Sequence, residues 1–287
     1  MANNALDLNN LRLAVLIDAE NVPRNCIKSV LEEVAIYGTP TIKRIYGDWT
    51  SPSVSGWKQS LLENAITPIQ QYSYTTGKNS SDSAMIIDAM DILYTERTDG
   101  FVIVSSDSDF TRLAIRLREA GQRVIGIGEK KTPGAFKAAC DKFTYIEVIR
   151  AGGEKPQPEI EELQAVSEEA RQSAKAPKQE NEESDNKQNA PHRDKNSNQS
   201  RPRGVKVPES VEQIIADSVA DLAGDDGTVF MGELGNLILK KQPDFDHRNF
   251  GYKSLSALIK SIDRFEMDFR QTADPNIKHV FVRDKEA

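Results

Sequence analysis

Phe101-Val-Ile-Val-Ser-Ser-Asp-Ser-Asp-Phe110 constrains the fold more than any other stretch of the chain. Four apolar residues run into two serines and then into Asp107 and Asp109. A helical pattern of Leu113, Ala114 and Leu117 follows, closed by Gly121. A short apolar run with polar ends reads as a strand buried on both faces, as in a parallel sheet. Such a strand presents its carboxyl end to the crevice of the sheet, where α/β proteins bind metals and phosphates.

The rest of the first half repeats the pattern. Leu11 to Ile17 is an apolar run that ends directly in Asp18. Ile27, Val30, Leu31 and Val34 then have helical spacing, with Asn21 as a candidate N-cap, Pro23 in the first turn and Gly38 at the end. Thr41–Gly47 reads as a second strand, 55–65 as a short helix and Thr67–Ser73 as a weaker strand held near an edge by Pro68. Ser81 and Asp82 open a helix with Met85, Ile86, Ala89, Met90 and Leu93 on one face. Arg123–Gly128 is a strand, Pro133–Lys142 a helix, and Phe143–Ile149 a last short strand. Strand and helix alternate throughout, which implies a parallel sheet with helices on both faces.

Composition changes at 151. Residues 151–205 hold no aromatic residue and only four of Ile, Leu, Val and Met, so the segment 151–206 is expected to be a disordered linker. Apolar spacing returns near Val207. Val211, Ile214, Ile215 and Val219 mark one helix, Leu234, Leu237 and Ile238 a second, and Leu255, Leu258 and Ile259 a third. Phe265–Phe269 and His279–Val282 alternate with period two and read as a hairpin around Asp274-Pro-Asn. Helices and a hairpin in so short a span suggest a small winged-helix-like α+β domain over 207–285.

The formal net charge of −7 excludes a simple basic nucleic-acid binder. No segment is strongly basic: the chain holds 17 basic and 18 acidic residues in 1–150, and 11 and 15 in 206–287. Nucleic-acid binding would need local patches, or metal ions to offset the acids. The two cysteines, Cys26 and Cys140, lie far apart and suit buried free thiols better than a zinc site or a disulfide framework. No apolar run approaches the roughly 20 residues of a membrane span. The first residues lack the basic-then-apolar pattern of a signal peptide. A reducing, cytoplasmic setting is expected.

In a doubly wound sheet with its switch point between the first and fourth strands, the tips of those two strands are neighbours. Asp18, Asp107 and Asp109 would then converge, with Asp82 nearby at a helix start. Packed carboxylates repel one another, and a bound Mg²⁺ or Mn²⁺ removes that penalty through hard oxygen ligands. Helix capping is the competing explanation for Asp82 and Asp109. Asp88 is a further acidic candidate on the Asp82 helix, Asp91 reads as solvated, and Lys78 is a candidate phosphate contact. Glu20 with Asp107-Ser-Asp109 loosely fits a Toprim-like pattern. Dinucleotide binding is excluded by the absence of a Gly-rich first turn.

Several spaced pieces resemble the NYN family of PIN-like ribonuclease domains: Leu16-Ile-Asp18-Ala-Glu-Asn21, Lys78-Asn-Ser-Ser-Asp82 with Ile87-Asp88-Ala89-Met90, Val104-Ser-Ser-Asp107-Ser-Asp109-Phe110, and Ala139-Cys-Asp-Lys-Phe143. The resemblance covers about 10–150. It implies a PIN-like parallel sheet and a metal-dependent acidic site that cleaves RNA, formed by Asp18, Asp82, Asp107 and Asp109, with Asn21 orienting the first aspartate or a water. Ser106 stands where many members have Gly. Residues 207–284 resemble the OST-HTH, or LOTUS, module through Gly232-Glu-Leu-Gly235, Pro243-Asp-Phe-Asp-His-Arg-Asn-Phe-Gly251-Tyr-Lys-Ser-Leu255 and Val280-Phe-Val282. That resemblance implies an RNA- or protein-binding module with Arg248, Tyr252 and Lys253 as candidate RNA contacts. The combined architecture implies a bacterial source. Two functions follow as expectations: a metal-dependent ribonuclease, or a non-catalytic RNA- or protein-binding regulator that keeps the fold.

Overall fold

The computed structural model describes residues 11–72, 80–95, 98–153, 207–224, 226–271 and 278–287. The expected disordered linker at 151–206, apart from 151–153, and the expected hairpin turn at Asp274-Pro-Asn lie outside the described residues, as does Lys78.

Strands β1 (Leu11–Asp18), β2 (Gly38–Gly47), β3 (Thr67–Gln70), β4 (Gly100–Val104), β5 (Arg123–Gly128) and β6 (Lys142–Tyr145) form one sheet in the order β3-β2-β1-β4-β5-β6. Each pair of neighbours is parallel. The chain order reverses between β1 and β4, so the crevice beyond their carboxyl ends is the topological switch point. Ile17 pairs with Val104, which sets Asp18 beside Ser105.

The period of two along β1 divides the core. Leu13, Val15 and Ile17 join a buried cluster with Ile27, Val30 and Val34 of α1 (Ile27–Ala35), Leu61 of α2 (Lys58–Asn64) and Ile146 and Ile149 of α6 (Ile146–Gly153). Ala14 and Leu16 face the opposite cluster. There Met85, Ala89 and Ile92 of α3 (Ser80–Thr95), Leu113, Ala114 and Leu117 of α4 (Thr111–Glu119), and Phe136 and Ala139 of α5 (Gly134–Ala139) cover the sheet. Helices on both faces bury both sides of every central strand, which is why β4 reads as an unbroken apolar run. Cys26 and Cys140 are free and buried.

Three local expectations are corrected. The last strand stops at Tyr145, and 146–149 are helical, because Ile146 and Ile149 sit three apart and reach the core from one face of α6. Gly38 opens β2 instead of closing a helix; a Cβ there would lie 2.3 Å from the Leu11 carbonyl oxygen. Asn21 caps no helix, and the turn before α1 begins after Pro23 without a side-chain cap.

Residues 207–287 build a separate core. Helix α7 (Glu209–Leu222), β7 (Thr228–Phe230), α8 (Met231–Lys241), α9 (Leu255–Lys260), β8 (Phe265–Gln271) and β9 (Lys278–Asp284) enclose Ile215, Val219, Leu234, Ile238, Leu258 and Val282. The strands form an antiparallel sheet in the order β7-β9-β8.

Candidate active site

Asp18, the last residue of β1, is 2% exposed. The backbone turns back over its carboxylate, so Oδ1 accepts from the Glu20 amide at 3.0 Å and the Asn21 amide at 3.3 Å. Oδ2 accepts from Asn21 Nδ2 at 2.8 Å and from Ser105 Oγ at 2.8 Å. Four donors hold this buried carboxylate in one orientation, and a buried charge requires partners of this kind. Asn21 is therefore a positioning group for Asp18.

Ser105 fastens the second strand tip to the first. It is fully buried, and its Oγ also accepts from the Asp107 amide at 3.1 Å. Asp107 Oδ1 in turn accepts from the Asp109 amide at 2.9 Å, capping the short 3₁₀ turn Ser108–Phe110 that leads into α4. The capping role weighed for Asp109 as the competing explanation thus falls to Asp107, and Asp109 is exposed within the turn. Ser106 Oγ accepts from the Glu129 amide at 2.9 Å, so this hydroxyl ties the β4 tip to the loop after β5.

Asp82, buried in the first turn of α3, completes the group. Asp82, Asp107 and Asp109 each bring a carboxylate oxygen to within 4.8 Å of the others. Burial, then the charges of Asp18, Asp107, Asp109 and Glu20, push Asp82 up from its ordinary value to about 7. Asp18 therefore acts on Asp82 electrostatically without belonging to the closest three. A crowded set of hard oxygen donors whose mutual repulsion a dication would relieve fits Mg²⁺ or Mn²⁺.

One site residue carried little signal in the sequence: Ser105, identified only by the register that puts it against Asp18. Glu20, weighed above as part of a Toprim-like pattern, accepts through Oε1 from Ser81 Oγ at 3.3 Å, linking the β1 loop to the start of α3. Asp88 lies elsewhere, bound by Arg44 Nη1 and the Tyr46 hydroxyl, and Asp91 is exposed.

The three C-terminal candidates differ in their surroundings. Arg248 is engaged by two carboxylates, with Nη1 and Nη2 donating to Glu33 at 2.8 and 2.7 Å and Nη2 donating to Asp246 at 2.7 Å. Tyr252 is partly buried against the C-terminal core. Lys253 is exposed.

No curated protein matches this chain. A crystal structure of a protein of unknown function from Vibrio parahaemolyticus is 18% identical, covers 51% of this chain and 96% of its own, and has a TM-score of 0.42. A solution structure of an uncharacterized protein from Nitrosomonas europaea is 30% identical, covers 36% of this chain and 92% of its own, and has a TM-score of 0.26. Residues 12–147 match the family profile described as NYN domain, and residues 206–277 the one described as OST-HTH/LOTUS domain. The sheet with its acidic switch point is thus an NYN domain, followed in the same chain by an OST-HTH/LOTUS domain.

Proposed function

We propose that this chain is a divalent-metal-dependent ribonuclease that hydrolyses RNA phosphodiesters at the Asp82–Asp107–Asp109 cluster. The observation that carries the reading is the convergence of these three carboxylates within 4.8 Å at the switch point. An NYN domain followed by an OST-HTH/LOTUS domain supports an RNA-related nuclease with an RNA-binding module.

Asp82, Asp107 and Asp109 would hold the ion. Asp18, oriented by Asn21 and Ser105, adds a fixed negative charge behind them. Bound Mg²⁺ or Mn²⁺ supplies a Lewis acid for phosphoryl oxygens and a counter-charge for the carboxylates. The protein's part is positioning: two strand tips and one helix start converge on one spot, so bound RNA meets donors already in place. In the OST-HTH/LOTUS domain, Tyr252 and Lys253 are the candidate RNA contacts, and Lys78 is a candidate phosphate contact in the NYN domain. Two buried free thiols support a reducing, cytoplasmic setting. Among the described residues, no helix is long and apolar enough to cross a membrane.

A second reading has its own support. Asp107 caps a turn and Asp18 is saturated by local donors, so both would serve a non-catalytic RNA- or protein-binding regulator that keeps the fold. Incubation with labelled single-stranded RNA, with Mg²⁺, with Mn²⁺ and with chelator, separates the two. Cleavage is expected in metal alone. Asp107→Asn is expected to abolish it with the melting temperature nearly unchanged, because asparagine caps a helical turn about as well as aspartate. Wild-type protein inert in either metal, or an Asp107→Asn variant as fast as wild type, would overturn the ribonuclease reading.

A further inference from the structure

Two features of the NYN domain are unexplained by its own packing. β6 is the last strand of the sheet, and an edge strand presents unpaired backbone groups on its outer side. Glu33 of α1 is 5% exposed in the whole chain, and among the described residues of its own domain its carboxylate accepts from just the Tyr37 hydroxyl, at 2.7 Å.

One turn of the OST-HTH/LOTUS domain, 243–248, meets both. The Phe143 amide of β6 donates to the Pro243 carbonyl oxygen at 2.8 Å. Asp244 Oδ2 accepts from Lys137 Nζ at 3.0 Å and from the Tyr145 hydroxyl at 2.5 Å. Arg248 places its guanidinium fork on the two oxygens of Glu33, while buried Asp246 grips the same guanidinium from behind. Lys142 lies over the Tyr37 ring, 5.3 Å from its centroid, beside these carboxylates. The charges are complementary. The turn carries Asp244, Asp246 and Arg248, against Lys137, Lys142 and Glu33 on the NYN side. A bidentate arginine–carboxylate pair is among the strongest and most directional of ionic contacts.

We propose that this face of the NYN domain is a docking surface for the 243–248 turn of the same chain, and that Arg248 is its latch and not a contact for RNA phosphate. The dock lies along β6, two strands beyond β4, and does not depend on the chemistry of the acidic cluster. It covers the open edge of the sheet and fixes where the second domain sits. RNA held by that domain would then approach the acidic site from a set direction instead of by free tethering.

Amide hydrogen exchange at Phe143, measured by NMR on the full-length protein, reports the dock directly. Glu33→Arg and Arg248→Glu, each alone, are expected to speed exchange at Phe143 by at least about tenfold, since single breaks of close interfacial charge pairs have effects of that order. Exchange at Ile103 in β4 should not move. Glu33→Arg lies outside the OST-HTH/LOTUS domain, so its effect does not require that domain to misfold. The double variant exchanges the two charges across the interface and leaves Asp246 in place. It is expected to restore protection to near wild type. Unchanged exchange in both single variants, or no recovery in the double, overturns the proposal. So does protection at Phe143 that falls on dilution, which would assign the turn to a second copy. An Arg248→Gln variant that loses affinity for single-stranded RNA while Phe143 stays protected overturns the latch.

Discussion

Replacing Asp82 by asparagine should stabilise the metal-free protein and destroy its activity. Asp82 moves from 3.8 unfolded to about 7 folded, because burial and then its carboxylate neighbours oppose its charge. Between those values the folded state holds a proton that the unfolded state has released, so stability falls as pH rises from about 4 to about 7. A rise of about 3 units at about 1.4 kcal/mol each sets a ceiling near 4 kcal/mol. The cluster opens to solvent on the side of exposed Asp109, and screening there reduces the effect to about 2 kcal/mol. In chelator at pH 8, Asp82→Asn should therefore melt about 4–8 °C above wild type, since about 1 kcal/mol moves a chain of this size by 2–4 °C. At pH 4 the two should melt together, because Asp82 is then protonated in the folded protein. Millimolar Mg²⁺ should raise the wild type far more than the variant, which lacks one of the three carboxylates. Equal melting at pH 8 in chelator would refute the electrostatic reasoning, and an equal gain from Mg²⁺ would refute the assignment of Asp82 as a ligand.

Ser105→Ala removes a donor from buried Asp18 and an acceptor from the Asp107 amide. It should cost about 1–2 kcal/mol in urea unfolding, and it should slow RNA cleavage more than tenfold, as expected when a buried carboxylate loses a partner. Gly128→Ala would put a Cβ 2.6 Å from the Ser105 carbonyl oxygen and 2.8 Å from Thr132 Oγ1. Overpacking against backbone should cost about 1–3 kcal/mol, read as a lower denaturant midpoint. Cleavage should fall with it, because the displaced residue is the one that joins the two strand tips.

The sheet was legible because its strands are buried on both faces and end abruptly. The runs before Asp18 and Ser105 could hardly be anything else, and the pairing of β1 with β4 bears out a switch point placed between the first and fourth strands. Phe143–Ile149 misled because a short apolar run has no period of its own, and only packing reveals that Ile146 and Ile149 share a helix face. Asp107 and Asp109 both resemble caps, and the backbone geometry of the turn decides between them. Ser105 was hidden for a different reason: its partner Asp18 is 87 residues away, so its role exists only in register. Arg248 is the extreme case. Exposed cations in a module of this type suggest RNA, and nothing local announces a carboxylate 215 residues earlier in the chain.

The acids of the cluster are not equally expendable. Asp107 closes a turn and Asp18 anchors a loop, so a lineage that abandoned cleavage would still be selected to keep them, or to replace them with residues that accept the same hydrogen bonds. Asp82 is different, because its charge opposes the fold around it. Drift would erase it first, and with a gain in stability. An acidic residue at position 82 therefore says more about a living enzyme than the aspartates that stand out at the strand tips.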